Sequence, residues 1–357
     1  MKETIKKLQS YQPAPLPEEV EKKYNLKRLA RLSANENSYG QSPRVVTALQ
    51  HFDFNELNYY PDGYATQLRA RVANKLKVDG DNIIFGVGLD EIIAYLSRVF
   101  LEPGDEVIVS QPTFSEYALN AQIEGAKVIE VPVQEPSGKQ NLAKMVDLMN
   151  SRTKMVWLCN PNNPTGVYES VADLRSFMQK VPQDVLVLID EAYIQFVTDA
   201  QPATALPLLK EFDNIAIMRT FSKIYGLANL RVGFIVMSQQ LANYVQTIRL
   251  PYNLNSLSQL AASVALDDQA FVEDVRAKNR VERDRWEQFF RQVGLQSYHS
   301  QANFVYFKTD QAAALGKKLL LNGYQIREGL APDALRISVG KAADNVAMQK
   351  IIADTLQ

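Results

Sequence analysis

The stretch Val185-Leu186-Val187-Leu188-Ile189-Asp190-Glu191-Ala192-Tyr193 decides the fold. Five apolar residues without polar alternation suit a strand whose two faces are both covered. The carboxylate that follows stands at the end of a buried strand, where ionisation is costly unless a partner meets it. Asp190 can cap a following helix, or it can face a cationic group of a ligand. Further unbroken runs lie at 106–110, 127–131, 154–159, 214–218 and 232–237. Helical spacing fills 66–76, 91–100, 115–124, 142–149 and 170–181. Strands alternating with helices predict an α/β unit around a mainly parallel sheet. Near residue 255 the texture changes. One long, increasingly charged helix is expected over 256–292, then strands at 303–307 and 334–339 around a helix at 312–321, a smaller α+β unit. The first thirty residues are polar and carry Pro13, Pro15 and Pro17, the composition of an extended arm. The expected organisation is an arm over 1–34 that packs with the small domain or a partner subunit, a large domain over 35–255 and a small domain over 256–357.

Composition narrows the chemistry. The 357 residues are 46% hydrophobic and 22% charged, which excludes a disordered scaffold. With 39 Lys and Arg against 40 Asp and Glu, the net charge is -1, so no bulk field draws nucleic acid or an acidic membrane. Cys159 is the single cysteine, and His51 and His299 are the two histidines. A disulfide framework, a Cys-rich metal centre and a His cluster are excluded, and no metal is expected. An enzyme built from this chain has to draw on a cofactor, or on Lys, Asp and Tyr. The N-terminus lacks the apolar core of a signal peptide, and no run of about 18 apolar residues suggests a membrane span. A cytoplasmic protein is expected.

In an open α/β sheet, ligands bind beyond the carboxyl ends of the strands, so the residues after each run carry the candidate chemistry. The run 214–218 leads into Arg219-Thr220-Phe221-Ser222-Lys223. Lys223 lies between two apolar runs, where burial lowers an amine's pKa and suits it to Schiff-base chemistry. Eight residues on, Arg231 opens the next run with a fork that fits a phosphate. The run 154–159 leads into Asn160-Pro161-Asn162-Asn163-Pro164-Thr165-Gly166, a plain turn or an amide aimed into the crevice. Phe85-Gly86-Val87-Gly88-Leu89-Asp90-Glu91 precedes a helix and offers backbone amides to a phosphate, without being a dinucleotide fingerprint. An acid, an amide, a lysine, an arginine and a phosphate cradle at neighbouring strand ends are the set that pyridoxal 5'-phosphate requires.

The order Asn160–Gly166, Asp190-Glu191-Ala192-Tyr193, Ser222-Lys223 and Arg231 resembles the fold-type I aminotransferases. Leu32-Ser33-Ala34-Asn35-Glu36-Asn37, Tyr60-Pro61-Asp62, Gly88-Leu89-Asp90-Glu91, Pro112-Thr113-Phe114 and Leu335-Arg336-Ile337-Ser338-Val339-Gly340 are similar to the histidinol-phosphate aminotransferase family. The resemblance covers nearly the whole chain. It implies an aspartate-aminotransferase-like fold, with a large domain for pyridoxal 5'-phosphate and a smaller α+β domain. Lys223 would hold the cofactor and then act as the base. Asp190 would keep the pyridine nitrogen protonated, and Tyr193 and Asn163 would hydrogen-bond the ring oxygen. Tyr117 would stack on the ring. Ser222, Arg231 and the amides of Leu89 and Asp90 would hold the phosphate, with Tyr60 reaching the phosphate of a neighbouring subunit in a homodimer.

For substrates, the resemblance assigns Arg336 to the carboxylate of the glutamate/2-oxoglutarate pair and Arg327 to a phosphomonoester. Asn35 also belongs to the substrate site, and Tyr11 would close over it. The implied reaction moves an amino group between L-glutamate/2-oxoglutarate and imidazole-acetol phosphate/L-histidinol phosphate in histidine biosynthesis. The alternatives are an aromatic amino-acid aminotransferase, a decarboxylase of phosphorylated amino acids, and a ligand-binding regulator without turnover. Two departures stand out. The arm reads Tyr11-Gln12-Pro13-Ala14-Pro15 where the family often has Tyr-x-Pro-Gly-Lys, and Leu89 stands where a small residue is common.

Overall fold

The computed structural model describes residues 5, 6, 8, 15–200 and 203–356. Among the described residues eleven strands form: β1 (Ala30–Leu32), β2 (Ile83–Val87), β3 (Glu106–Gln111), β4 (Lys127–Pro132), β5 (Thr153–Cys159), β6 (Leu186–Asp190), β7 (Ile215–Thr220), β8 (Val232–Val236), β9 (Phe304–Lys308), β10 (Tyr324–Ala331) and β11 (Ala334–Ser338). Seven form one sheet in the order β2-β8-β7-β6-β5-β3-β4. Strands β4, β3, β5, β6 and β7 pair in parallel, and β8 runs antiparallel to both β7 and β2. The mainly parallel α/β sheet expected from the sequence is therefore present, with one reversed strand. Because β7 and β8 are antiparallel, the chain between them makes a local return instead of a helical crossover, and Ser222-Lys223 sits in that return.

The unbroken apolar runs are explained by two cores. Leu186 and Leu188 of β6 join the core on one face of the sheet, while Val187 and Ile189 join the core on the other. Ala216 and Met218 against Ile215 and Ile217 in β7 divide in the same way, as do Met155 and Trp157 against Val156 and Leu158 in β5. Side chains alternate by two along a strand, so a strand covered on both sides has no polar position to spare.

A second sheet, in the order β1-β10-β11-β9, carries a separate core that includes Trp286, Phe290, Val305, Leu335 and Ile337. Here the structure departs from the sequence expectations in three places. Residues 17–32 are not an extended arm: Pro17–Tyr24 is a helix, with Pro17 in its first turn, and β1 pairs in parallel with β10. Phe85-Gly86-Val87, expected as flexible backbone before a helix, belongs to β2. The expected long helix over 256–292 is two helices, Ser256–Asp267 and Gln269–Gln292. Between them the Asp268 carboxylate caps the second helix at the Phe271 amide and accepts a 2.5 Å hydrogen bond from the Ser42 hydroxyl. Ala261, Ala262, Ala265 and Leu266 of the first helix pack in the large core. The second helix spans both units, with Val272 and Val275 in the large core and Trp286 and Phe290 in the small one. Among the described residues, no helix is long and apolar enough to cross a membrane.

Candidate active site

Parallel β5 and β6 bring Cys159 and Asp190 level at their carboxyl ends, with Met218 of β7 opposite Asp190. Beyond these ends the small sheet approaches, with Arg336 of β11 meeting Asn163 after β5 and Asn35 after β1 meeting Tyr193 after β6. Asp190 is buried. Its Oδ2 accepts a 2.7 Å hydrogen bond from the Tyr117 hydroxyl, and its Oδ1 accepts a 2.9 Å bond from the Ala192 amide. Burial pushes its pKa up to about 6 against the pull of those two donors.

Lys223 is partly buried. Its Nζ donates to the Ala34 carbonyl at 3.1 Å and lies 5.6 Å from the centre of the Tyr193 ring. No carboxylate pairs with it among the described residues. Burial, with Arg336 nearby, lowers its pKa to about 8. An amine held in this state is available as a nucleophile and as a base near neutral pH.

Asn163 accepts a hydrogen bond from Arg336, whose other nitrogen donates to the Ser33 carbonyl. The Arg336 guanidinium lies 5.3 Å from the centre of the Phe304 ring. Arg327 stands directly opposite Arg336 across the β10–β11 pair. Directly opposed residues share a face of a sheet, so the small sheet presents two guanidinium groups together. Asn35, in the left-handed region at φ 56, donates from Nδ2 to the Tyr193 hydroxyl at 3.0 Å. Burial raises the pKa of that hydroxyl, while Arg336 and Asn35 oppose the rise.

Gly88, Leu89, Asp90 and Arg231, the residues expected to hold a phosphate, meet at one place. No N-cap side chain closes the helix Gly88–Phe100; the Val87 amide donates to Glu91 Oε2 at 2.7 Å and the Gly88 amide to the Arg231 carbonyl at 3.0 Å, which leaves the amides of Leu89 and Asp90 as the candidates for an anion. Gly88 has φ +74, and a Cβ at this position would collide with the Arg231 guanidinium. Gly233 opposite lacks the Cβ that would crowd the backbone of Gly88 and Leu89. Arg231 pairs with the Asp90 carboxylate at 2.9 Å. The Asp90 side chain thus lies at the anion position that the resemblance reserves for a phosphate. Ser222 is buried beside this end, with its amide donating to Thr220 Oγ1 at 3.0 Å.

Two of the expected site residues stack on aromatic neighbours of their own. Tyr117, expected to stack on the cofactor ring, is fully buried and stacks on Trp157 at 4.6 Å between centres and 7° between planes. The apolar neighbours take the ring and Asp190 takes the hydroxyl. Tyr60 is exposed and stacks on Tyr252 at 4.7 Å, with none of its described contacts to the Lys223 group. Tyr11 lies outside the described residues.

The structure adds residues that the sequence reading did not single out. Asn303 donates from Nδ2 to the Asn35 carbonyl at 3.0 Å, Asn37 donates to the Ile224 carbonyl at 2.7 Å, and Ser338 contacts Asn35. Ser338 had a signal, since it lies two positions after Arg336 and so on the same face of the strand. The donor set fits pyridoxal 5'-phosphate. It combines an amine without a carboxylate partner among the described residues, a buried acid, a glycine whose missing Cβ leaves room beside a guanidinium, and the Leu89 and Asp90 amides at a helix start.

With this geometry in hand, comparison with known proteins is direct. The model of the family "Aminotransferase class I and II" matches residues 27–353. The histidinol-phosphate aminotransferase of Limosilactobacillus fermentum is 53% identical, covering 100% of this chain and 99% of the relative. That of Bacillus licheniformis is 45% identical, again over 100% and 99%. The crystal structure of histidinol-phosphate aminotransferase from Sinorhizobium meliloti in complex with pyridoxal 5'-phosphate superposes with a TM-score of 0.90 at 26% identity, covering 100% of this chain and 97% of that one. The chain belongs to the class I and II aminotransferases, within the histidinol-phosphate aminotransferase family.

Proposed function

We propose that this chain is a pyridoxal-phosphate-dependent transaminase acting between L-glutamate/2-oxoglutarate and imidazole-acetol phosphate/L-histidinol phosphate in histidine biosynthesis. One observation carries the reading: the Lys223 amine, with its pKa lowered to about 8, stands at the strand ends near Asp190 and faces a sheet that presents Arg336 and Arg327 together. When bound, the cofactor supplies an electron sink and carries the amino group from one half-reaction to the next. The protein supplies the rest. Lys223 would hold the cofactor, and once freed by substrate its neutral amine would move the proton between the substrate's amine-bearing carbon and the cofactor. Asp190 keeps a proton on the ring nitrogen, with Tyr117 steadying the carboxylate from behind. Asn163 and Tyr193 hydrogen-bond the ring oxygen. Arg231, Ser222 and the amides of Leu89 and Asp90 hold the phosphate, and the Asp90 carboxylate yields Arg231 to it.

Arg336 takes the substrate carboxylate as a fork, and Arg327 takes the substrate phosphate. Arg327→Ala is expected to lower kcat/KM for histidinol phosphate by about 100-fold, the scale of one charge-assisted contact, and to change the glutamate half-reaction only slightly. Equal losses for both substrates would remove Arg327 from that role. Comparable turnover of phenylalanine would favour the aromatic aminotransferase, and carbon dioxide release the decarboxylase.

The working unit is proposed to be a homodimer in the cytoplasm. Phe54, Leu57, Tyr59, Tyr60 and Tyr64 form an exposed apolar stretch on one short segment. An exposed group of this kind is the mark of an interface, and Tyr60 would cross it to the phosphate of the partner's site.

A further inference from the structure

Two amide orientations are open to Asn35, and they have opposite consequences for Tyr193. In one, Nδ2 faces the Tyr193 hydroxyl and donates to it. The tyrosine oxygen then accepts, and its own proton is free to be donated elsewhere. In the other, Oδ1 faces the hydroxyl, which must spend its proton on Asn35. A hydroxyl carries a single proton, so Tyr193 cannot both donate to Asn35 and donate into the crevice.

We propose that Ser338 selects the first orientation and so sets Tyr193 as a donor toward the cofactor's ring oxygen, which makes Ser338 a positioning residue for the reaction. The backbone amide of Asn35 donates to Ser338 Oγ at 2.9 Å. A peptide N–H can only donate, so Ser338 Oγ is an acceptor on that side and has one proton left to place. It donates that proton to Asn35 Oδ1 at 3.0 Å. With Oδ1 held by the serine, Nδ2 is directed at the Tyr193 hydroxyl at 3.0 Å. All three side chains are buried: Asn35 and Ser338 are 1% exposed and Tyr193 4% exposed. Water therefore does not scramble the polarity of the chain.

The surroundings hold the relay in place. Asn35 adopts φ 56, a left-handed conformation that asparagine tolerates better than most residues. Its carbonyl is held by Asn303 Nδ2 at 3.0 Å. Ser338 lies on β11 two residues from Arg336, so both point to one face of the small sheet. The strand that grips the substrate carboxylate thereby also sets the hydrogen bond received by the cofactor's oxygen. A donor to that oxygen stabilises its ionised form and lowers the pH at which the lysine-bound cofactor loses its proton.

The inference rests on the functional reading above, and the experiment separates the two. The wild-type protein, Ser338→Ala, Ser338→Thr and Asn35→Asp are loaded with pyridoxal 5'-phosphate, and the pH midpoint of the bound cofactor's visible absorbance is measured. Apo-protein affinity is measured in parallel for pyridoxal 5'-phosphate and for its 3-deoxy analogue, which lacks the ring oxygen. Ser338→Ala is expected to raise the midpoint by about one pH unit, the scale of one hydrogen bond to a charged group. It should weaken the natural cofactor about tenfold and leave the analogue unchanged. Ser338→Thr, which keeps the hydroxyl, restores both values. Asn35→Asp, which presents only acceptors, raises the midpoint even if Ser338→Ala folds poorly. An unchanged midpoint in Ser338→Ala or Asn35→Asp, or equal weakening of both ligands, overturns the relay. A wild-type protein without any lysine-bound absorbance overturns the functional reading instead.

Discussion

Lys223 and Asp190 form a pair of titrating groups pushed in opposite directions by the same burial. The amine is lowered to about 8 and the carboxyl raised to about 6. The neutral amine is the nucleophile, so apo-protein is expected to capture pyridoxal 5'-phosphate faster as pH rises, levelling off above about pH 8. A stopped-flow absorbance series from pH 6 to 10 checks this, and a rate independent of pH would contradict it. Lys223→Ala should bind cofactor without covalent attachment and lose transamination by more than about 10³-fold, near the upper range of general acid–base contributions. At this scale most of the site was legible, because its residues follow apolar runs: a charge placed there has to be either paired or used. Asn303 and Asn37 were not legible as site residues, since their hydrogen bonds join segments far apart in the chain, whereas Ser338 was signalled only by its place two positions after Arg336. Tyr117 was placed over the cofactor by resemblance. Its position on Trp157 depends on packing that no local pattern reveals.

Among the elements, the start of helix Gly88–Phe100 is the most constrained. Gly88→Ala adds a Cβ at φ +74, in the path of the Arg231 guanidinium. The left-handed backbone alone costs a non-glycine residue about 1–2 kcal/mol. The variant should weaken pyridoxal 5'-phosphate at least tenfold while affecting pyridoxal, which lacks the phosphate, much less. Titration of the apo-protein with the two compounds distinguishes a lost phosphate contact from general damage. Leu188, fully buried in β6, offers a contrasting case: Leu188→Ala should cost about 2–5 kcal/mol in urea unfolding. The buried strands were legible because double coverage imposes unbroken apolar runs. Strand β2 was obscured by Gly86 and Gly88, whose residue type signals a loop when no partner strand is in view. Strand β1 was read as arm because three residues carry too short a pattern. The break at Asp268 was missed because helical spacing continues on both sides of it. The change lies in the Asp268 side chain, which is drawn to Ser42 and Phe271.

Across the whole molecule, two polar clusters tie the small unit to the large one. Glu135 accepts from the Tyr298 hydroxyl at 2.6 Å and from Lys308 Nζ at 2.5 Å. His299 lies between Glu287 at 3.0 Å and Asp199 at 2.6 Å, with Gln301 and the buried Arg283 close by. The hydrogen bond to Glu287 leads in raising the His299 pKa to about 9, above the ordinary histidine value of 6.5. A raised pKa in the folded state means that the stabilisation is complete below about pH 6.5 and is lost as pH rises through about 9. Thermal unfolding followed across this window should show a fall in stability that His299→Gln removes. The same slope in the variant would assign the effect to other groups. Tyr60→Ala with Tyr252→Ala should shift sedimentation equilibrium toward monomer, and an unchanged mass distribution would exclude this face from the dimer.

The most direct measurement is a set of single-turnover absorbance spectra of the cofactor-loaded protein, mixed separately with L-glutamate, L-histidinol phosphate and L-phenylalanine. Glutamate and histidinol phosphate are expected to bleach the lysine-bound band, with histidinol phosphate at least tenfold faster than phenylalanine at equal concentration. 2-Oxoglutarate is expected to restore the band. A band that ignores both glutamate and histidinol phosphate, or that answers phenylalanine as readily as histidinol phosphate, would contradict the account.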